Sequence, residues 1–598
     1  MAGAMAPAMA GTMAGVEEAA RLSAANGTVF ATFTSAEMVA FTLNWCKHLR
    51  RLGVLSPLVG VMGPPLPRLP AERLRALGAV LYRARAAESE LQRQGGRWFH
   101  LLPLLSTGLR VVLSDSDVVW FRHPLAYFAA LEAAHPRLDF SISTDAQGAS
   151  RARRMEGSSD LDVEVWTHCH ESMNLGIMHF PPGRRAGSLE AVRQMVAHLR
   201  EKGNLRRVDQ GPINYRWKRG SGLWKWEKPL HAVRDASGGR LCALVNGSVV
   251  AAVLPVAQFG NTLTLGLLRL DVAAAVAPYA MHATFMRRQS DAHKIARLRE
   301  YALWHDPPEY YKASRELRLL TVALHLPPWR GVTIGRGGIP LPHFRLMAAQ
   351  LTQLRDALFL SRLLRRTLVL PRVACGCELG FFPRHLRPSC TAHPLALPYN
   401  CSVDHFLHPP ALLALRFYAL REASFTANPR ADPAFAARVA RVRRRADNFE
   451  VAAAAEGRAV RLPLRPSASR LVAALGGVEA PTLHVDDLRE MVGSLDGAGG
   501  RGALVEFHAH AQALLSSWCC TSDERFRRSG GEVPYLLPPL EGQSEWLGEP
   551  RLAWAATALA SVFRGAGEHA LAARLSPCEP GARVFNSPGC KRLRKGRH

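Results

Sequence analysis

A chain of 598 residues is too long for one hydrophobic core and should fold as two or more domains. Its 48% hydrophobic and 21% charged content excludes a disordered polymer. Lys and Arg number 76 against 49 Asp and Glu, a net charge of +27, but the arginines run from end to end among many alanines. A nucleic-acid binder concentrates such charge in stripes interleaved with aromatics; a diffuse excess points instead to anionic sugars, nucleotides or membrane surfaces.

The first 25 residues are rich in Met, Ala and Gly, with no early basic residue and no apolar core, so they read as neither signal peptide nor anchor. Residues 28–33 read as a strand and 38–52 as a helix whose last turn carries Lys47, Arg50 and Arg51. A strand at 54–61, a helix at 71–77, a strand at 79–82 and a helix at 99–105 follow. Strands alternating with helices predict a doubly wound, mainly parallel sheet.

The chemistry enters at residues 110–124. Val111, Val112 and Leu113 form a short apolar run suited to a strand buried on both faces, and Ser114, Asp115, Ser116 and Asp117 follow at its C-terminal end. In extended backbone the two Asp side chains point to one side, with Cα atoms roughly 6 to 7 Å apart, so a slight turn brings both to one cation. Hard oxygen ligands in that pattern suit Mg²⁺ or Mn²⁺ with positions left for substrate phosphates. An Asp-x-Asp triplet by itself is more often a solvated loop. Here the flanking apolar runs change the balance, because buried carboxylates without a counter-cation are costly. A haloacid-dehalogenase-type phosphatase also begins this way, but it wants a small residue and a hydroxyl where Val118 and Val119 stand.

Further on, 139–143 reads as a strand and 145–162 as a polar insert, a surface loop or a lid. Residues 173–180 read as a strand in which Asn174 and Gly176 would let a ligand approach the backbone. A helix at 188–200 leads to Asp209 and Gln210, and 279–285 is a strand carrying His282, followed by a helix with Lys294, Arg297 and Arg299. The apolar region 249–268 is broken by Pro255, Gln258, Gly260 and Asn261, and so reads as core strands and not as a membrane span. Singly, His282 is a core histidine, Asp209 a helix cap and Lys294 a solvated face. Together they supply an acid pair, an imidazole ligand, a cation for a diphosphate and a spare carboxylate, which is the set that transfer from a nucleotide-diphosphate donor requires.

The segments Leu-Ser-Asp-Ser-Asp-Val-Val-Trp-Phe, Asn-Leu-Gly-Ile, Asp-Gln-Gly-Pro-Ile-Asn and His-Ala-Thr-Phe with the following Lys294 occur in an order that resembles glycosyltransferase family 77. Within it the chain is similar to the plant and green-algal arabinosyltransferases of hydroxyproline-rich, extensin-type wall glycoproteins. The resemblance implies an α/β architecture with a GT-A nucleotide-sugar transferase domain and a C-terminal α/β accessory domain. It implies Mn²⁺ (or Mg²⁺) held by Asp115, Asp117 and His282, with Asp115 also nearer the nucleotide. UDP-sugar diphosphate contacts would come from Lys294 and Arg297, and a catalytic group from Asp209, Gln210 and Asn174. The implied partners are a UDP-sugar and a hydroxyproline-rich glycoprotein or wall-glycan acceptor, with no nucleic acid. The implied compartment is the Golgi lumen, with membrane association only through a segment not read here. Relatives that transfer xylose or galactose share these motifs, and the rival of another class is a non-catalytic binder of polyanions.

The expected domains are a low-complexity N-terminus (1–27), the transferase (28–325) and the accessory domain (331–598). In the last, 366–371 reads as a buried strand, Ala/Arg/Gly-rich stretches around 452–502 as loop inserts, and 590–595 as a solvated basic tail. A glycine-rich opening of the O-fucosyltransferase type is only loosely matched by Gly337 and Gly338. Cys375, Cys377, Cys390 and Cys401 lack zinc-knuckle spacing, so disulfides in an oxidising lumen are expected. Acceptor sequons at Asn26, Asn246 and Asn400 are compatible with that compartment and decide little.

Overall fold

The computed structural model describes residues 15–83, 96–146, 172–200, 210–214, 241–285, 291–326, 341–375, 398–406, 420–452, 460–464 and 466–492. The expectations for Asp209, for the insert beyond Ala146, for Gly337 and Gly338, for Cys377 and Cys390 and for the basic tail lie outside these residues. The chain divides into two compact units, Met1–Phe285 and Met286–His598. The division falls before the expected 325/331 boundary.

In the first unit the strands are β1 (Thr28–Thr34), β2 (Leu58–Val61), β3 (Val80–Arg83), β4 (Arg110–Ser114), β5 (Val118–Trp120), β6 (Phe140–Thr144), β7 (Met173–Phe180), β8 (Leu241–Leu244), β9 (Val249–Val253), β10 (Phe259–Asn261) and β11 (Ala280–His282). Among the described residues, eight of them form one sheet in the order β3-β2-β1-β4-β7-β6-β9-β8. The β3-β2-β1-β4 half is parallel, as alternation with helices predicts. Beyond β4 the sheet is mixed, since β7 runs antiparallel to both β4 and β6, and β8 antiparallel to β9. A second, three-stranded sheet has the order β10-β11-β5. Val111, Val112 and Leu113 are buried, and the two faces of the main sheet carry separate apolar clusters around Phe140, Phe180 and Trp98 and around Trp45, Phe128 and Phe259.

The expected low-complexity N-terminus contains a helix, Val16–Ser23, whose Ala19 and Ala20 are fully buried in the core. Alanine is the strongest helix former, and its small side chain lets the helix lie close to the sheet. The predicted span of strands at 249–268 holds β9 and β10 and then a π-helical segment, Thr262–Leu267, capped by Asn261.

Between the sheet and the helix Leu125–Ala134 lies a buried polar network. Glu132 accepts from Arg110 Nε and Nη2 at 2.7 and 2.6 Å, and its Oε1 lies 2.8 Å from His179 Nε2. Burial pushes the Glu132 carboxyl upward, but the bonds from His179 and Arg110 outweigh it and hold the pKa at about 2. A carboxylate depressed on folding contributes stability that is present above its ordinary range and is lost as pH falls through the folded value.

In the second unit, β12 (Leu319–Val322), β13 (Thr367–Val369), β16 (Leu420–Arg421), β17 (Val439–Arg444), β18 (Asn448–Ala452), β19 (Val460–Pro463) and β20 (Thr482–Val485) form a sheet in the order β16-β13-β12-β20-β17-β18-β19. The five strands from β16 to β17 are parallel, giving the expected α/β accessory unit. The region read as loop inserts holds β19, the helix Ala468–Leu475 and β20, and β20 is a central strand between β12 and β17. Its Thr-Leu-His-Val core is too short to stand out from Ala- and Gly-rich surroundings. A separate pair, β14 (Val373–Cys375) with β15 (Tyr399–Cys401), carries a Cys375–Cys401 disulfide with Cα atoms 5.6 Å apart. No helix among the described residues is long and apolar enough to cross a membrane.

The helix Asp291–Glu300 is tied into this second unit, which is why the division falls before it. Arg297 is 1% exposed, and its Nε donates to Asp404 Oδ1 at 2.7 Å; Arg299 pairs with Asp306, and Glu300 accepts from Val403 N at 3.0 Å. Burial alone would lower the Arg297 pKa, and the Asp404 carboxylate outweighs it, so the guanidinium stays charged.

Two outcomes are expected. The resistance of the first unit to urea should fall as pH drops from about 4.5 towards 2, and Glu132→Gln should flatten that dependence. Asp404→Asn, which strands a buried guanidinium, should destabilise the second unit by about 3–5 kcal/mol in the same measurement.

Candidate active site

The Asp-x-Asp triplet is the turn that hands the chain from the main sheet to the small one. Strand β4 ends at Ser114, Val118 N–H donates to the Asp115 carbonyl at 3.1 Å, and β5 begins at Val118. Trp45 Nε1 at 2.8 Å and Trp120 Nε1 at 3.3 Å both donate to the buried Ser114 hydroxyl and so fix the strand end. Asp115 N–H donates to the Gly176 carbonyl at 2.9 Å, which ties the turn to β7.

His282 arrives by the small sheet. Strand β11 pairs antiparallel with β5, placing His282 opposite Val118, and Ala283 N–H donates to the Asp117 carbonyl at 3.1 Å. The doubly wound picture has the strands before Asp115 and His282 finishing on one edge of a single sheet. They lie in different sheets, and an antiparallel register brings their ends together. Beyond His282 the backbone turns at once, with Thr284 N–H on the His282 carbonyl at 2.8 Å and Phe285 at φ +58°.

His282 Nε2 lies 3.2 Å from Asp117 Oδ1 and 3.6 Å from Asp115 Oδ2, and one ligand atom of each residue lies within 4.8 Å of the others. Two ligands at about 2.1 Å from one octahedral ion sit about 3 Å apart, so this set fits Mn²⁺ or Mg²⁺, with His and carboxylates as donors. Asp117 is 4% exposed at its side chain, whereas Asp115 is 33% exposed and is the open member of the set.

Behind the imidazole, His282 Nδ1 lies 3.0 Å from Asn174 Oδ1, and Asn174 Nδ2 donates to Asp145 Oδ1 at 2.8 Å. The other Asp145 oxygen accepts from Gln210 Nε2 at 2.8 Å. Asn214 bonds both the N–H and the carbonyl of Met173 at 2.8 Å, docking the Gln210 turn on the start of β7. The structure therefore gathers Asp115, Asp117, His282, Asn174 and Gln210 in the first unit. Lys294 and Arg297 stand on the Asp291–Glu300 helix of the second unit, where Arg297 pairs with Asp404.

Two residues of the site were not legible in the sequence. Arg97, at the start of the helix Arg97–Ser106, donates from Nη1 to Asp115 Oδ1. Nothing distinguishes it from the chain's many other arginines. Asp145 sits at the start of what reads as a polar insert. Gly176 was legible as a close approach, but what approaches is protein: a Cβ there would lie 2.1 Å from His282 Nδ1 and 2.8 Å from Asn174 Oδ1.

Residues 94–298 match the profile of a family described as nucleotide-diphospho-sugar transferase. That stretch is thus similar to nucleotide-diphospho-sugar transferases. The matched stretch contains the acid pair at the end of β4 and the antiparallel strands that continue the parallel half-sheet. Arabinosyltransferase XEG113 of Arabidopsis thaliana is 26% identical over 392 residues, 64% of this chain and 55% of that protein. The chain thus spans about half the length of this curated relative. Among solved structures, the glycosyltransferase GlyE of Streptococcus pneumoniae aligns over 57% of this chain and 73% of its own at 13% identity and a TM-score of 0.28. Galactosyltransferase LgtC, solved with donor and acceptor sugar analogues, aligns over 47% and 98% at 10% identity and a TM-score of 0.28.

Gly176→Ala should displace the imidazole and weaken Mn²⁺ binding by about tenfold or more, read as free Mn²⁺ by electron paramagnetic resonance. The circular dichroism spectrum should be retained.

Proposed function

We propose that this protein is a retaining, divalent-cation-dependent glycosyltransferase that moves arabinofuranose from a UDP-sugar to hydroxyproline-linked glycans of wall glycoproteins. The observation that carries the reading is the convergence of Asp115, Asp117 and His282 inside the region that matches the transferase family. The choice of arabinose is supported by the name of the Arabidopsis relative. The Cys375–Cys401 disulfide supports work in an oxidising compartment such as the Golgi lumen.

Bound Mn²⁺ or Mg²⁺ would supply positive charge against the growing charge of the departing diphosphate. Asp117 and His282 hold it from the buried side, and Asp115, the exposed ligand, stands where the nucleotide enters. Arg97 balances the outer Asp115 oxygen. Gln210, oriented by Asp145, belongs to the sugar and acceptor side, as does its neighbour Asp209. Lys294 is assigned to the diphosphate on the sequence resemblance alone.

A donor screen with UDP-arabinofuranose, UDP-xylose and UDP-galactose, with and without Mn²⁺, tests the reading. Transfer is expected from the first and only with the cation. Preference for xylose or galactose would keep the enzyme and change its sugar. No transfer or hydrolysis from any donor would sink the enzyme; binding of acidic polymers that ignores UDP and Mn²⁺ and falls steeply with salt would favour the polyanion binder.

Asp117→Asn and His282→Ala should weaken Mn²⁺-dependent UDP binding by about a hundredfold without unfolding the domain. Asp209→Asn should keep UDP affinity and lose about 10²–10⁴ in turnover, because an interaction made mainly in the transition state shows in kcat. Equal loss of UDP affinity in Asp209→Asn and Asp117→Asn would overturn the division of roles.

A further inference from the structure

We propose that Asn174 is a positioning residue that sets the tautomer of His282, and that Asp145 fixes Asn174 for that purpose. The proposal rests on the reading of Asp115, Asp117 and His282 as a cation site. A histidine ligates a metal only through a nitrogen that carries a lone pair, and which nitrogen that is depends on what the other one bonds.

His282 Nδ1 faces Asn174 Oδ1 at 3.0 Å, and an amide oxygen can only accept. Nδ1 is therefore a ring nitrogen that carries a proton, which leaves Nε2, facing the Asp115 and Asp117 carboxylates, as the nitrogen able to ligate a cation. An asparagine can turn its amide over, and that would reverse the result. Two partners prevent it here. Gly176 N–H donates to Asn174 Oδ1 at 2.7 Å, and the Asp145 carboxylate accepts from Nδ2 at 2.8 Å. Turning the amide would set N–H against N–H on one side and oxygen against carboxylate on the other. Asp145 is in turn oriented through its second oxygen by Gln210. The chain Gln210–Asp145–Asn174–His282 thus fixes donors and acceptors from Gln210 to the ring, and it ends on the nitrogen that faces the proposed cation site.

The same logic gives the role of Gly176 in full: its backbone donor holds the Asn174 oxygen, and its missing side chain leaves room for the ring that oxygen orients.

The test uses the full chain and Mn²⁺ itself as probe. Asn174→Leu, similar in branching but without an acceptor, should weaken Mn²⁺ binding by about ten- to a hundredfold. The double exchange Asn174→Asp with Asp145→Asn conserves net charge, keeps an oxygen on His282 Nδ1 and on Gly176 N–H, and reverses only the bond between positions 174 and 145. It should bind Mn²⁺ within about threefold of the wild type, since every donor still meets an acceptor.

Nitrogen NMR of histidine-labelled, metal-free protein at about pH 9, well above the ordinary imidazole pKa of roughly 6.5, reads the tautomer directly. The His282 signals are identified by their loss in His282→Ala. The proton should sit on Nδ1 in the wild type and in the exchange variant, and should move wholly or partly to Nε2 in Asn174→Leu. A purely structural asparagine would leave the tautomer unchanged, so a proton that stays on Nδ1 in Asn174→Leu overturns the proposal. So does an exchange variant whose proton leaves Nδ1, a result available even if Asn174→Leu fails to fold. A wild type that binds no Mn²⁺ overturns the cation site instead, and the metal-free spectra keep the two failures apart.

Discussion

Two carboxylates held with oxygens within 4.8 Å of one another would, when both are charged, repel by about 3.5 kcal/mol at an effective dielectric near 20. The first unit is arranged so that this cluster cannot relax. Two indoles grip the Ser114 hydroxyl just before it, β7 holds the Asp115 amide, and the β5–β11 ladder locks Val118 against His282. Arg97 pairs with one oxygen of Asp115. A cation proposed at this site would meet donors whose positions the surrounding backbone already fixes.

The fixed geometry extends to Gln210. Asp145 uses one oxygen for Asn174 and the other for Gln210, so a single carboxylate orients the amide behind the cation ligand and the amide assigned to the sugar. Asn214 adds a clamp on the Met173 backbone. Rigid support of this kind matters for phosphate-linked transfer, where positioning and electrostatics carry most of the rate and misplacement by about 1 Å is expensive.

The second unit uses charge differently. Arg297 and Asp404 pair in the interior, Arg299 with Asp306 and Tyr310 with Glu422 pair in partly buried positions, and Arg421 stacks 3.9 Å over the Tyr310 ring. Pairs taken out of water in this way add little net stability, but they penalise any packing that separates them. They bind the helix that follows Phe285 to β16 and its neighbours. Part of the chain's basic excess thus takes part in structural pairs.

Local physics made the first half-sheet legible in the sequence: a helix and strand period, a doubly buried Val-Val-Leu strand, and polar residues beginning where that strand must end. The same reasoning marked Asp115, Asp117 and His282, because hard-oxygen and imidazole donors at strand ends are chemistry that a hydrophobic core does not need. What the sequence lacked was any signal for pairing across the chain. The meeting of His282 with Asp117 depends on an antiparallel register between β5 and β11, and the central place of β20 depends on partners from β12 and β17. Arg97, Asp145 and the fate of Arg297 were invisible for a related reason. A charged side chain announces its charge in the sequence, but its partner is chosen by distance in the folded chain, and only tertiary packing sets that distance.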